Sequence, residues 1–178
     1  GSSYWQLNGA GGNEIKNTNT GGFWSANPTG VPFDANNITN PPTAPMSGAG
    51  TRLMWIPSRS AFRAGTVESF GQNAWDAANI GLFSFATGYS TLASGQYSTA
   101  MGRYNTASGN NSTAIGYGTT ASGEYSTTMG YGTTAKGDIS TAMGYNTTAI
   151  TLYSTAMGTN TTASGLGSTT MGGYTTAS

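Results

Sequence analysis

The chain has 178 residues, enough for one or two domains, and its six Lys+Arg against six Asp+Glu leave no net charge. That balance excludes the basic field on which binding to nucleic acid or an acidic membrane depends. With no Cys and no His, the chain lacks thiol nucleophiles, disulfides, thiolate or imidazole metal ligands and the usual general base. Its 28 Gly recur at fixed intervals among 36% hydrophobic residues, which argues against disorder. No apolar run approaches the ~20 residues of a membrane helix, and no secretory signal opens the chain. It reads as an excerpt from a longer secreted or particle-borne protein, with no direct membrane insertion in this fragment.

Residues 1–83 follow no period and hold all four Trp (Trp5, Trp24, Trp55, Trp75) and all six Pro. Residues 27–50 are rich in Pro, Asn and Gly and read as loop or extended connection. Residues 51–83 contain two apolar stretches separated by charged residues. Arg52, Arg59 and Arg63 near Glu68 and Asp76 suggest buried ion pairs or bridges between chains. The whole segment is expected to be an irregular N-terminal cap or connector that shields the first unit of the array that follows, with its Trp in the cap core.

That array occupies residues 84–178. Segments beginning at Ser84, Ser98, Ser112, Ser126, Ser140, Ser154 and Ser168 repeat every 14 residues, the last truncated. Ser always fills the first position, Gly the fifth and Ala the tenth; the twelfth is Gly except at Thr151. Two Gly per unit and many Thr disfavour helix, at about 1 kcal/mol per Gly. Each unit instead predicts a short strand, a bend, a second strand and another bend: one coil of a parallel β-solenoid. Gly88, Gly102, Gly116, Gly130, Gly144, Gly158 and Gly172 are expected at the coil turns, where the backbone bends tightly or takes positive φ. Stacked at about 4.8 Å, seven coils make a rod roughly 30 Å long.

Alternation assigns the faces. In Ser-Thr-Ala-Met-Gly the small first, third and fifth residues share one side, which suits the narrow interior of a 14-residue coil. Met101, Ile115, Met129, Met143, Met157 and Met171 then point outward in a row, one per coil. A soluble monomer should not show such a stripe, so it predicts a partner, most simply identical chains packed stripe to stripe. The alternative reading puts these Met inside a monomeric coil.

The STAMG and STAIG cores, followed by Thr-Ala-Ser-Gly, resemble the head repeats of trimeric autotransporter adhesins, the YadA-like family. The resemblance covers residues 84–178 and implies an all-β, left-handed parallel β-roll that forms a side-by-side homotrimer. It also implies display at the bacterial surface, anchored in the outer membrane through parts missing here, with an extracellular matrix protein or surface glycan as ligand. Thr replaces the family's second-position Val in six repeats and Phe85 does so in the first; Met mostly replaces its Ile. A more polar and more adaptable interface follows. The Gly50–Gly65 segment, with Trp75 to Gly81, is similar to regions preceding such repeats in bacterial surface and tail-fibre-like proteins.

No catalytic, cofactor or metal site emerges. Lys16 and Lys136 lie in polar loop sequence, so no Ser gains a base. Glu124 and Asp138 fall on an outer bend one coil apart, not flanking a substrate bond. Gly9–Gly12 lacks the Lys-Ser/Thr of a phosphate loop. Asn110, Asn111 and Asp138 offer oxygens to a hard cation, but no acidic cluster joins them. Two other non-enzymatic readings stand beside adhesion: a phage, virion or appendage tail-fibre segment, and an ice-binding solenoid with ranked Thr pairs from Thr119-Thr120 to Thr175-Thr176. Adjacent Thr point to opposite faces, which weakens the latter. Tyr117, Tyr131 and Tyr145, with Tyr89 on an earlier coil, predict an aromatic ladder whose rings support one another.

Overall fold

The computed structural model describes residues 5–8, 14–17, 47–56, 59–69 and 73–178, the first two segments by backbone alone. Most of the Pro-rich segment, Trp24 and Gly9–Gly12 lie outside the described residues, as do the side chains of Trp5 and Lys16. Strands β1 (Trp5–Asn8) and β2 (Glu14–Asn17) pair antiparallel as a sheet of their own.

Residues 84–178 form the parallel β-solenoid the period predicts, about seven coils with one long and one short strand in each. The long strands are β5 (Phe85–Tyr89), β7 (Thr99–Arg103), β9 (Thr113–Tyr117), β11 (Thr127–Tyr131), β13 (Thr141–Tyr145), β15 (Thr155–Thr159) and β17 (Thr169–Gly173). The short ones are β6 (Leu92–Ala93), β8 (Thr106–Ala107), β10 (Thr120–Ala121), β12 (Thr134–Ala135), β14 (Thr148–Ala149), β16 (Thr162–Ala163) and β18 (Thr176–Ala177). Each pairs in parallel with its counterpart in the next coil, 14 residues on, so identical repeat positions stack: Met129 beside Met143, Ala121 beside Ala135.

The interior is made of very small groups. Ala86, Ala100, Ala114, Ala142 and Ala156 from the long strands and Ala93 to Ala163 from the short ones are fully buried. The invariant Ser has a structural explanation here. The hydroxyls of Ser98, Ser112 and Ser126 donate to the carbonyls of Gly95, Gly109 and Gly123, each at 2.6 Å, pairing a buried acceptor at the bend. Asn105 replaces the usual Thr at the eighth position and spans two coils. Its amide nitrogen donates to the Met101 and Gly116 carbonyls, and its oxygen accepts from the backbone and hydroxyl of Thr119.

The glycines expected at the coil turns lie instead inside the long strand, each as its fourth residue. The corners are the seventh and fourteenth positions, where Ser90, Tyr104, Asn146, Tyr97, Tyr125 and Ile139 take left-handed φ between 48° and 58°. Their N–H groups donate to the preceding coil, as from Tyr104 to Tyr89 and from Tyr125 to Asn110, so the ladder continues around the bends. The strand glycines serve close approach. A Cβ on Gly116, at φ +128°, would lie 2.0 Å from the Gly130 carbonyl oxygen one coil on.

At the N-terminal end the long-strand sheet does not stop at residue 84. Strand β4 (Ala61–Val67) pairs parallel with β5, placing Phe62, Arg63, Ala64 and Gly65 on the register of Phe85, Ala86, Thr87 and Gly88. Strand β3 (Gly50–Ile56) then pairs antiparallel with β4, making nine strands in all. Arg63 takes an interior Ala position and is fully buried. Its guanidinium donates to the carbonyls of Ser84 and Ala93 and to the Ser84 hydroxyl. Burial, and then the neighbouring Arg59 charge, push its pKa down to about 10. Trp75, also fully buried, donates its indole N–H to the Thr91 carbonyl at 2.8 Å. The expected ion pairs do not form among the described residues: Arg59 donates to the Ile80 carbonyl, Arg52 to the Ser47 and Gly48 carbonyls, and Asp76 accepts from the Gly48 N–H.

Gly116→Ala should therefore cost at least ~3 kcal/mol, because only displacement of a whole coil relieves the clash. Gly118→Ala, at a corner with nothing within 4 Å of the new Cβ, should cost about 1 kcal/mol for its positive φ alone. Thermal unfolding followed by circular dichroism separates the two.

Candidate functional site on the outer face of the long-strand sheet

Each long strand sends its second, fourth and sixth repeat positions outward. The fourth forms the apolar row. Met101, Met129 and Met171 are exposed, at 38%, 39% and 63%, while Ile115, Met143 and Met157 are half-buried. Adjacent members are register partners along the whole sheet. With Ala beneath them there is no interior volume for these side chains, so the backbone pleat directs them to solvent.

The sixth position carries the tyrosines. Tyr117 and Tyr131 stack at 4.9 Å and 4° between planes, Tyr131 and Tyr145 at 5.1 Å and 13°. The ladder ends there because Tyr145 pairs with Thr159. At its other end Arg103 lies 4.9–5.5 Å from the ring centres of Tyr89, Tyr104 and Tyr117. Tyr104 meets Tyr89 and Tyr117 edge-on. The Glu68 carboxylate accepts hydrogen bonds from the hydroxyls of Tyr89 and Tyr104, both at 2.9 Å. That bond holds the Tyr89 phenol above its ordinary pKa. Within the ladder the rings cover one another's faces and turn edges and hydroxyls outward, an arrangement that stiffens the sheet margin.

The remaining candidates carry no assembled chemistry. Asp138 and Glu124 are exposed at one bend, where the Asp138 carboxylate accepts from the Glu124 N–H at 2.8 Å. The Asn110 side-chain oxygen accepts the same bond from the Gln96 N–H two coils earlier, a structural link between coils. Among the described residues no three His, Cys, Asp or Glu side chains gather where a metal could bind, and no helix is long and apolar enough to cross a membrane. The Thr pairs split as alternation requires: Thr119, Thr133, Thr147 and Thr161 are buried, and Thr120, Thr134, Thr148 and Thr162 are half-buried on the short-strand face.

Two features escaped the periodic reading. Coil five breaks the pattern at Ile150-Thr151-Leu152, and Ile139, Ile150, Leu152, Tyr153 and Leu166 are all exposed along that bend. The Thr151 hydroxyl there donates to the Gly165 carbonyl at 2.5 Å. The second is Trp55, expected in the cap core with the other Trp but placed on the outward face, 38% exposed. Its alternation with the buried Met54 and Ile56 was the available signal.

Comparison with known proteins gives the family. The YadA head domain repeat (2 copies) matches residues 80–105, 93–119, 107–133, 121–147 and 152–177, together more than half of the chain. The chain belongs to the YadA head repeat family. The resemblance carried by the STAMG cores is thereby confirmed, and the chain is an adhesin-type head module built on a structural repeat. The matches skip residues 148–151, where coil five departs from the repeat. No curated protein matches the chain.

Arg103→Ala removes a cation shared by three tyrosine rings and should lower stability by about 1 kcal/mol. Tyr131→Ala should cost about as much by breaking two stacks. Unfolding midpoints in guanidinium chloride measure both.

Proposed function

We propose that this YadA-type head works as a side-by-side homotrimer in a fibre displayed at the cell surface, attaching its bearer to host matrix, cells or other surfaces. One observation carries the trimer: an apolar row, one residue per coil, that the narrow interior forces outward. Left in water, such a row would be a continuous hydrophobic strip along the rod, and burial against identical chains is its simplest relief. Met at most of its positions suits a contact that must fill irregular gaps. The interface residues in this reading are Met101, Ile115, Met129, Met143, Met157 and Met171. The strand glycines Gly88 to Gly158 keep the coils close enough for the row to be unbroken.

Attachment then belongs to surfaces that the trimer leaves free, with an extracellular matrix protein or a surface glycan as the class of ligand. The fibre is held at the outer membrane in this reading. The N-terminal region before the repeats covers the open end of the solenoid, with Arg63 and Trp75 as the plug.

Light scattering should give about three times the 18.1 kDa chain mass. Met129→Lys combined with Met143→Lys should yield a folded monomer, because charges placed in an apolar contact lose their hydration without gaining partners. A monomeric parent chain, or a variant that assembles normally, would sink the trimer. For adhesion, a strain displaying the head should be retained on matrix-coated surfaces, and the dissociated variant should be retained at least tenfold less.

A further inference from the structure

We infer that the association face does not end with the repeats: it runs on over the β3–β4 hairpin, so that Leu53, Trp55 and Phe62 pack against a second copy of the chain. This deepens the trimer reading and rests on it.

Register carries the inference first. Leu53 pairs with Ala64, Ala64 with Thr87, and Thr87 with Met101, so Leu53 stands on the same row as the Met stripe, beyond its N-terminal end. Trp55, Phe62 and Phe85 likewise share the row occupied by Thr in later coils. Phe62 and Phe85 stack at 5.3 Å.

Exposure comes second. Leu53 is 72% exposed, while its neighbours Met54 and Ile56 are buried. The hairpin thus already has a core on its inner side, and its outer apolar side chains contribute nothing to it. Where the Met row gives way to Ala64 and Thr87, the neighbouring row becomes aromatic at Phe62 and Phe85. The apolar surface changes row without a break.

Charge and area choose the occupant. Across the outward positions of all nine strands the only charged residue is Arg103, and tyrosine rings surround it. A highly charged partner would find nothing to pair with, whereas a second copy presents an equally uncharged face. Nine strands at ~4.8 Å, each about 16 Å long, give a face of roughly 650 Å², near the ~800 Å² per partner of a standard interface. The repeats alone give roughly a quarter less by the same spacing.

The chain has no cysteine, so Leu53→Cys supplies a unique thiol. Its maleimide labelling would be compared in the assembled chain and in the Met129→Lys/Met143→Lys background, with Thr106→Cys on the short-strand sheet as control. Labelling at least tenfold slower in the assembly than in the monomer, with the control unchanged, is the expected result. Equal labelling in both backgrounds overturns the inference while leaving the stripe contact intact. Slow labelling in both shows that another part of the same chain covers Leu53, and overturns it too. If the parent chain is itself monomeric by light scattering, the trimer reading falls and takes this extension with it.

Discussion

The constraint on which the rest depends is the closeness of successive coils at the glycine positions. At Gly116 the carbonyl oxygen of the next coil's glycine occupies the place a Cβ would take, and the same approach recurs at Gly88, Gly130, Gly144 and Gly158. Fourteen residues can close into a two-sheet coil only if the backbone is tightly folded and the lumen nearly vanishes. Ala, Ser and Thr are therefore the side chains that fit, with Asn105 the one larger exception, and the Ser hydroxyl gives each bend carbonyl a second donor beside the Ser N–H. Every large side chain must then lie outside.

That exclusion reverses the usual relation between core and surface. A globular domain hides its Met and Ile and shows its Thr and Ser; here the long strands bury Ala and show Met, Ile and Tyr. Little apolar area is buried within one chain, so stability must come from backbone ladders, which continue even through the left-handed corners. The tyrosine ladder along one margin adds stacking and a cation held among rings. The outward face of the sheet is where the chain leaves its apolar side chains uncovered.

Before the first coil the sheet takes in strands that do not repeat. There Arg63 and Trp75, both fully buried, donate to the Ser84, Ala93 and Thr91 carbonyls. Phe62-Arg63-Ala64-Gly65-Thr66 imitates a repeat strand so closely in register that the sheet continues into residues that lack the Ser-Thr-Ala signature. Arg63 stands where Ala86 and Ala100 stand in the following coils. From that position its guanidinium reaches the Ser84 and Ala93 carbonyls.

The sequence by itself determined the period, the solenoid, the small interior and the outward row, because each follows from spacing and side-chain size repeated seven times. It also pointed to the family through the STAMG cores. Only the tertiary structure decided what the glycines are for. A fifth-position Gly reads equally well as a turn or as a close approach, and the distance to the next coil distinguishes them. The role of residues 50–67 was likewise decided in three dimensions. A single non-repeated strand offers no period to read, and its membership of the sheet depends on pairing with β5, a contact across more than twenty residues. For the same reason Arg63 and Trp55 were misjudged from sequence. The former looked like one half of an ion pair and lies buried among backbone carbonyls; the latter looked like cap core and lies on the outward face.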